Sequence, residues 1–411
     1  MDLAYEQLVS EGYLESVPCK GYFVCEIEGL YRLDEKKEET KEDDAAEQTP
    51  FRYDFAVTGT APGGFPQNSW KKISKEVLLD ADDSLFQLGD AKGEHGLREA
   101  IRDYLHHARG VNCRTEQIIV GAGNDYLLML LSVILGRGHK VAMENPTYIS
   151  AYRCFAKLGY AMCTVSMDEA GMRPAELEKS GADLAYIMPS HQFPMGMVMP
   201  MKRRMQLLAW ASRENGRYLI EDDYDSEFRY KGKPIPALQG MDRGGRVIYM
   251  GTFSKSIAPA IRVGFMVLPE HLVKVYREKA GFYASTVSRI DQNILYQFIT
   301  QGHYERHLNR MRAVYKAKHD VLLNGLRKLE DRFVIRGEYA GLHVLLTCRW
   351  GGSEQQLTEQ AAAARVKVYG MSDCFIHSEQ NIYPSTVMLG YAKLSEAEIE
   401  KGARLLDQAW S

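Results

Sequence analysis

Lys255 stands in the stretch GTFSKSIAPAIRVGF, Gly251 to Phe265, among small hydroxyl residues and seven positions before Arg262. Such a lysine can clamp a phosphate, sit in solvent as an ordinary cation, or bond covalently to a carbonyl. The nucleotide loop G-x-x-x-x-G-K-[ST] is not met, because no glycine directly precedes Lys255 and the spacing to Gly251 is wrong. A Ser/Thr-rich turn at a strand end can instead present hydroxyls and backbone N–H groups to a phosphate, with Arg262 adding a charged fork. The lysine amine is then free for a carbonyl, as a Schiff base.

Those requirements are the ones pyridoxal phosphate makes: a lysine for the imine, donors for the phosphate, a carboxylate against the pyridine nitrogen and a ring to stack on. The stretch EDDYDSEF offers Asp222 and Tyr224. A buried carboxylate there would keep the pyridine nitrogen protonated, since an opposite charge at hydrogen-bond distance raises that pKa. Tyr224 is placed to donate to the phenolic oxygen. GAGNDYLL offers Gly123 and Asn124 at a turn opening a helix, whose N-terminus favours anions. ENPTY offers Tyr148 as the stacking ring. Each has a plainer reading alone: a solvated acidic turn, a common glycine turn, a packing tyrosine. Their order along one alternating chain makes the set specific.

The elements that must position them are short apolar runs ending in polar or glycine-rich turns. EQIIVGAG, KVAMENPTY, LAYIMPSHQ, RYLIEDDY and RVIYMGTFSK read as strands, separated by amphipathic helical stretches such as MKRRMQLLAWASREN. This alternation predicts an α/β fold, a largely parallel sheet covered by helices on both faces. Ligands of such sheets sit outside the carboxyl ends of the strands. After about Ser288 the chain turns helical, then mixed, with AGLHVLLTC, VKVYGMS and TVMLGYA as strands and EAEIEKGARLLDQAW as a closing helix. The first segment reads as a helix, ended near Gly12, and two short strands around a Pro18–Gly21 turn. Asp34 to Pro50 is dense in charge and poor in large apolar groups, which predicts a linker.

Composition bounds the rest. A length of 411 residues predicts two or three domains, and a net charge of −3 gives no global pull toward nucleic acid. The seven cysteines are scattered singly, without a C-x-x-C pair, so neither a zinc knuckle nor a disulfide framework is indicated. No apolar run approaches bilayer length and no signal-peptide core is present, so the expectation is a cytoplasmic protein with no membrane partner and no metal.

From Phe51 onward the chain resembles fold type I pyridoxal-phosphate enzymes, and more closely the aminotransferase-like domain of MocR-type regulators in the GntR superfamily. LGDAKGEHGLREAIRDYLHHARGVNC, PSHQFPMG, EDDYDSEFRY and GTFSKSIAPAIRVGFMVLP carry the resemblance. It implies pyridoxal 5′-phosphate as cofactor and Lys255 as the Schiff-base lysine. It puts Asp222 on the pyridine nitrogen, Tyr224 on the phenolic oxygen and Tyr148 on the ring. Thr252, Ser254 and Arg262 hold the phosphate with Gly123 and Asn124, and His191 is a pocket-wall residue.

The resemblance also gives the domains. Residues 1–33 are a partial winged-helix remnant (the end of a recognition helix and its wing), and 34–50 a charged linker. Residues 51–290 form the large cofactor-binding domain, and 291–411 a smaller α+β domain. Three departures stand out. Phe193 occupies the place of a common asparagine, Leu88 that of a tyrosine reaching the neighbouring subunit, and Met388 that of a carboxylate-binding arginine; no arginine occurs between Arg365 and Arg404. The function expected is a regulatory domain sensing an amine or amino acid through an external aldimine, with a working aminotransferase as the alternative. A homodimer is expected, with DNA a partner only where a complete winged helix stands upstream.

Overall fold

The computed structural model describes residues 2–25, 51–230 and 235–411. Two compact units result, Met1–Thr49 and Pro50–Ser411. In the first, a helix, Asp2–Ser10, is followed by an antiparallel pair, Leu14–Val17 with Gly21–Val24. Gly12 adopts φ +79°, a conformation open to glycine, and lets the chain leave the helix and enter the hairpin. The expected linker, 34–50, and the end of the expected winged-helix remnant lie outside the described residues.

The second unit is built on a seven-stranded sheet. Its strands are β1 (Ile118–Gly121), β2 (Lys140–Glu144), β3 (Ala161–Val165), β4 (Leu184–Ile187), β5 (Tyr218–Asp223), β6 (Val247–Thr252) and β7 (Gly264–Val267). The spatial order is β1-β7-β6-β5-β4-β2-β3. β7 runs antiparallel to both its neighbours, and the other pairings are parallel. The five runs singled out as strands are β1, β2, β4, β5 and β6. Most are buried along their whole length, as continuous apolar runs covered on both faces must be. Helices cover the two faces. His95–Arg109, for example, points Leu97, Ile101 and Leu105 inward and stops at Gly110, φ +63°.

A second sheet follows, from β8 (Phe333–Arg336), β9 (His343–Cys348), β10 (Tyr369–Gly370) and β11 (Thr386–Gly390), in the order β8-β9-β11-β10. The long helix His303–Leu326 and the closing helix Glu396–Ala409 pack with it around Tyr315, Leu322, Leu389, Leu406 and Trp410. The chain entering this unit is tied to the same sheet region. Tyr53 and Asp54 pair with Val366 and Lys367, and the Gly390 N–H donates to the Phe55 carbonyl at 2.9 Å. Fully buried Phe55 anchors the arm, at about 2 kcal/mol for such a side chain, and so delivers Val57 to Gly59 to the strand ends. Among the described residues no helix is long and apolar enough to cross a membrane.

Candidate cofactor site

Parallel register brings the chemistry together. Asp222 of β5 lies opposite Met250 of β6 and Asp223 opposite Gly251, so both strands release their polar tails at one level. Antiparallel β7 pairs Gly264 with Gly121 of β1, which sets the Arg262 loop against the Gly123 turn. The cavity between them has a volume of about 230 Å3. Its lining includes Lys255, Asp222, Tyr224, Gly123, Asn124, Tyr148, Thr252, Ser254 and Arg262, with Val57 from the entering arm and Phe193. Every residue named from the sequence is in that wall except His191.

Lys255 Nζ donates to the Val57 carbonyl at 3.4 Å. Desolvation pulls its pKa below the usual lysine value; Asp225 pulls the other way and Lys393 adds to the lowering. The neutral amine is the form that attacks a carbonyl. Asp222 is buried. Its Oδ2 accepts from the Tyr186 hydroxyl, and its Oδ1 from Asn124 Nδ2 at 3.3 Å. Burial raises its pKa to about 7, against the lowering effect of Tyr186. Below, Asp223 is locked by Arg109 Nε at 2.8 Å and the Tyr249 hydroxyl at 2.6 Å, and Arg109 also donates to Ser190 Oγ at 2.6 Å. That buried network fixes the end of β5, and with it the direction of Asp222.

The anion end is built from backbone. Gly123 precedes the helix Asn124–Leu135 with φ +87°, and a Cβ there would stand 2.7 Å from Arg262 Nη2. Arg262 is itself left-handed, φ +51°, and among the described residues makes only long contacts, 3.4 Å to Asp125 Oδ2 and 3.5 Å to the Ala122 carbonyl. Thr252 Oγ1 accepts from the Ser254 N–H at 3.1 Å. Ser254 Oγ and Asn124 Oδ1 are buried without a hydrogen-bond partner among the described residues. Unpaired buried oxygens are uncommon and call for a missing partner. A buried Ser254 hydroxyl free to donate, a guanidinium with weak partners, a buried carboxylate and a desolvated lysine fit a phosphorylated pyridine aldehyde.

Two expectations need correction. His191 is not a wall residue: it is buried behind Tyr224, with Nδ1 2.9 Å from Asp225 Oδ2 and 3.0 Å from the Tyr224 hydroxyl. Its role is to hold Tyr224. The Asn124 side chain turns to Asp222, so at the anion end only its backbone N–H, in the first helical turn, is available. Three residues went unnamed in the sequence. Tyr186 supports Asp222, Asp225 supports His191, and His343 lies with its ring 5.8 Å from that of His191 and its pKa pushed down to about 4 by burial and by His191. Asp225 was within reach of sequence reasoning, three positions after Asp222 in the same acidic turn. Tyr186 and His343 read as strand interior.

The family model for aminotransferase class I and II matches residues 58–406. The chain belongs to the aminotransferase class I and II family. Its cofactor is pyridoxal 5′-phosphate, and its fold is that of the fold type I aminotransferases. Within the family it is of the MocR type. It is 38% identical over 411 residues to the "Uncharacterized HTH-type transcriptional regulator YdeL" of Bacillus subtilis (strain 168), covering 100% of this chain and 88% of that one. It is 29% identical to the "Probable rhizopine catabolism regulatory protein MocR" of Rhizobium meliloti, covering 99% and 85%. Among solved structures it is similar to the multiple substrate aminotransferase of Thermococcus profundus, with a TM-score of 0.78, 28% identity and coverage of 88% and 92%.

Proposed function

We propose that this chain is the ligand-responsive, pyridoxal-phosphate-binding part of a MocR-type transcriptional regulator, and that it captures a primary amine or amino acid at Lys255. The observation that carries this is the desolvated Lys255 in one cavity with buried Asp222, Tyr224 and the Gly123–Arg262 anion cradle. Bound there, the cofactor supplies an aldehyde that condenses with amines and a ring that accepts electron density.

The chain's own residues do the rest. Asp222 presents a carboxylate to the ring nitrogen and holds a proton there. Tyr224 donates its hydroxyl hydrogen toward the phenolic oxygen, kept in line by the His191–Asp225 pair. Tyr148, edge-on to Phe193 with centroids 6.2 Å apart, covers a ring face. Arg262, Thr252, Ser254 and the first N–H groups of the helix Asn124–Leu135 hold the phosphate. Lys255, with its lowered pKa, would be the chain's base for moving a proton at the cofactor. The same protein is proposed to act as a homodimer, and to meet DNA only through a complete winged helix.

Turnover is the second reading, favoured by the complete cofactor set and by a lysine whose lowered pKa suits proton transfer. One experiment separates the readings. Protein loaded with pyridoxal phosphate is expected to show a visible absorbance band that Lys255→Ala lacks, and the band is expected to shift with amine ligands without accumulation of the amino form of the cofactor. A band identical in both proteins removes Lys255 from the site. Conversion to the amino form with any amino acid makes the chain an aminotransferase.

A further inference from the structure

A second cleft opens in the same unit and shares no lining residue with the cofactor cavity. Its volume is about 520 Å3. One wall is a face of the helix His303–Leu326, where His303, Arg306, His307 and Arg310 follow one another at helical spacing. The other wall is the start of the helix Gln67–Leu79, with Phe65 and Pro66 before it. Among the described residues no carboxylate lines the cleft. Backbone carbonyls steady the two guanidiniums instead: Arg306 Nη2 donates to Gln301 at 3.0 Å, and Arg310 Nη2 donates to Gly64. A carbonyl orients a guanidinium without cancelling its charge. The facing helix has no side-chain cap at Pro66 and no acidic residue in its first turn, and the N–H groups of Asn68 and Ser69 donate to no described residue. Such groups add to the attraction for an anion. Behind the cleft lies the lysine turn. Buried His307 donates from Nε2 to the Ser256 carbonyl at 2.8 Å, which leaves Nδ1 facing Arg310, and the Tyr304 hydroxyl donates to Ser256 Oγ at 3.0 Å. The helix that carries the cations thus also holds the residue next to Lys255.

We infer that this cleft is a second ligand site and that it takes a phosphate monoester as the dianion. Guanidinium forks on one wall and helix N–H groups on the other offer more donors than the two oxygens of a carboxylate can meet. The two guanidinium charges match the two charges of a monoester, whereas a diester carries one. A phosphate alone leaves most of the cleft unfilled. Phe65 and Pro66 border the remainder, so an apolar or aromatic group on the ester oxygen has a surface to lie against.

The test uses the chain loaded with pyridoxal phosphate and freed of excess, so that the cofactor's own anion cradle is filled. Phenyl phosphate, inorganic phosphate and dimethyl phosphate are titrated by calorimetry at constant ionic strength, which holds screening fixed. Phenyl phosphate is expected to saturate one site per chain and to bind at least about tenfold tighter than dimethyl phosphate, the worth of one charge-assisted hydrogen bond. Inorganic phosphate is expected to bind more weakly than phenyl phosphate. Arg306→Gln and Arg310→Gln are each expected to weaken phenyl phosphate about tenfold and to leave the cofactor's visible band unchanged. Both side chains are exposed. If Arg310→Gln, which loses the bond to Gly64, does not fold, Arg306→Gln decides alone. No saturable heat from phenyl phosphate at millimolar concentration, variants that bind it as wild type does, or equal binding of inorganic or dimethyl phosphate overturns the inference. The Lys255-dependent band is recorded on the same samples, so the cofactor reading stands or falls separately.

Discussion

Asp222 shows how one side chain can be costly to the free protein and useful to the loaded one. Its carboxyl is buried with only Tyr186 and Asn124 for partners among the described residues, and burial lifts its pKa from an unfolded value of about 3.9 to about 7. Because the folded form holds its proton more tightly, the stability this group contributes is fully present below about pH 4. It is lost as the pH rises to about 7, by at most about 4 kcal/mol. A cation against the carboxylate removes the penalty, and a protonated pyridine nitrogen is such a cation. Asp222→Asn abolishes the titration and keeps the shape. Thermal melts of cofactor-free protein between pH 4 and 8 are therefore expected to show wild type falling relative to Asp222→Asn as the pH rises, with the gap closing when pyridoxal phosphate is added. Glu144, Glu221 and Glu227 are also raised to about 7 by burial and titrate in both proteins, so the comparison isolates Asp222. Parallel profiles would mean that the Asp222 carboxyl titrates as in the unfolded chain.

Among the elements, the turns after the strands carry the site, and they were the part most legible in the sequence. The end of β6 and the loop into β7 spell Thr252, Ser254, Lys255 and Arg262 within eleven residues, so local spacing was enough to find them. His191, Asp225 and His343 meet from three separate segments, and nothing in any one segment announces the meeting. β3 was not singled out either, because as an edge strand it is half exposed and lacks the continuous apolar run of its neighbours. β7 was read only as part of the lysine motif, and its antiparallel direction depends on a pairing with β1 more than a hundred residues earlier. The glycine turn gives the sharpest test at this scale. Gly123→Ala keeps the helix Asn124–Leu135 but puts a Cβ at φ +87° and 2.7 Å from Arg262 Nη2. The backbone strain costs about 1–2 kcal/mol, and Arg262 must leave the cradle. Affinity for pyridoxal phosphate, measured by absorbance titration, is expected to fall about tenfold or more, while affinity for pyridoxal without its phosphate changes little. An unchanged Kd for the phosphate ester would move the anion site elsewhere.

At the scale of the whole molecule, apolar side chains stand exposed, among the described residues, beside the anion end of the cavity. Phe86, Leu88, Phe282 and Tyr283 are exposed, Leu88 at 90%. They sit on two loops that the fold holds together. Arg289 donates to the carbonyls of Ser84 and Gln87 and pairs with Glu94 at 2.9 Å, and Thr286 Oγ1 accepts from the Ala122 N–H at 3.0 Å, beside the Gly123 turn. Exposed apolar groups gathered on structured loops mark an interaction surface. A second copy of the chain is the occupant that suits the expected homodimer, since a two-fold contact buries the same patch on both copies. A contact on these loops would lie where it can act on the cofactor. A partner closing over these loops would cover the Ala122–Arg262 side of the cavity and would shield a bound phosphate from water, strengthening each charged hydrogen bond to it. Leu88→Glu combined with Phe282→Glu is therefore expected to shift the protein to monomer at micromolar concentration, measured by sedimentation velocity. Affinity for pyridoxal phosphate is expected to weaken with it, although neither residue lines the cavity. A variant that stays dimeric would place the two-fold contact on another face. One that becomes monomeric and keeps full affinity would show that each copy holds its cofactor unaided.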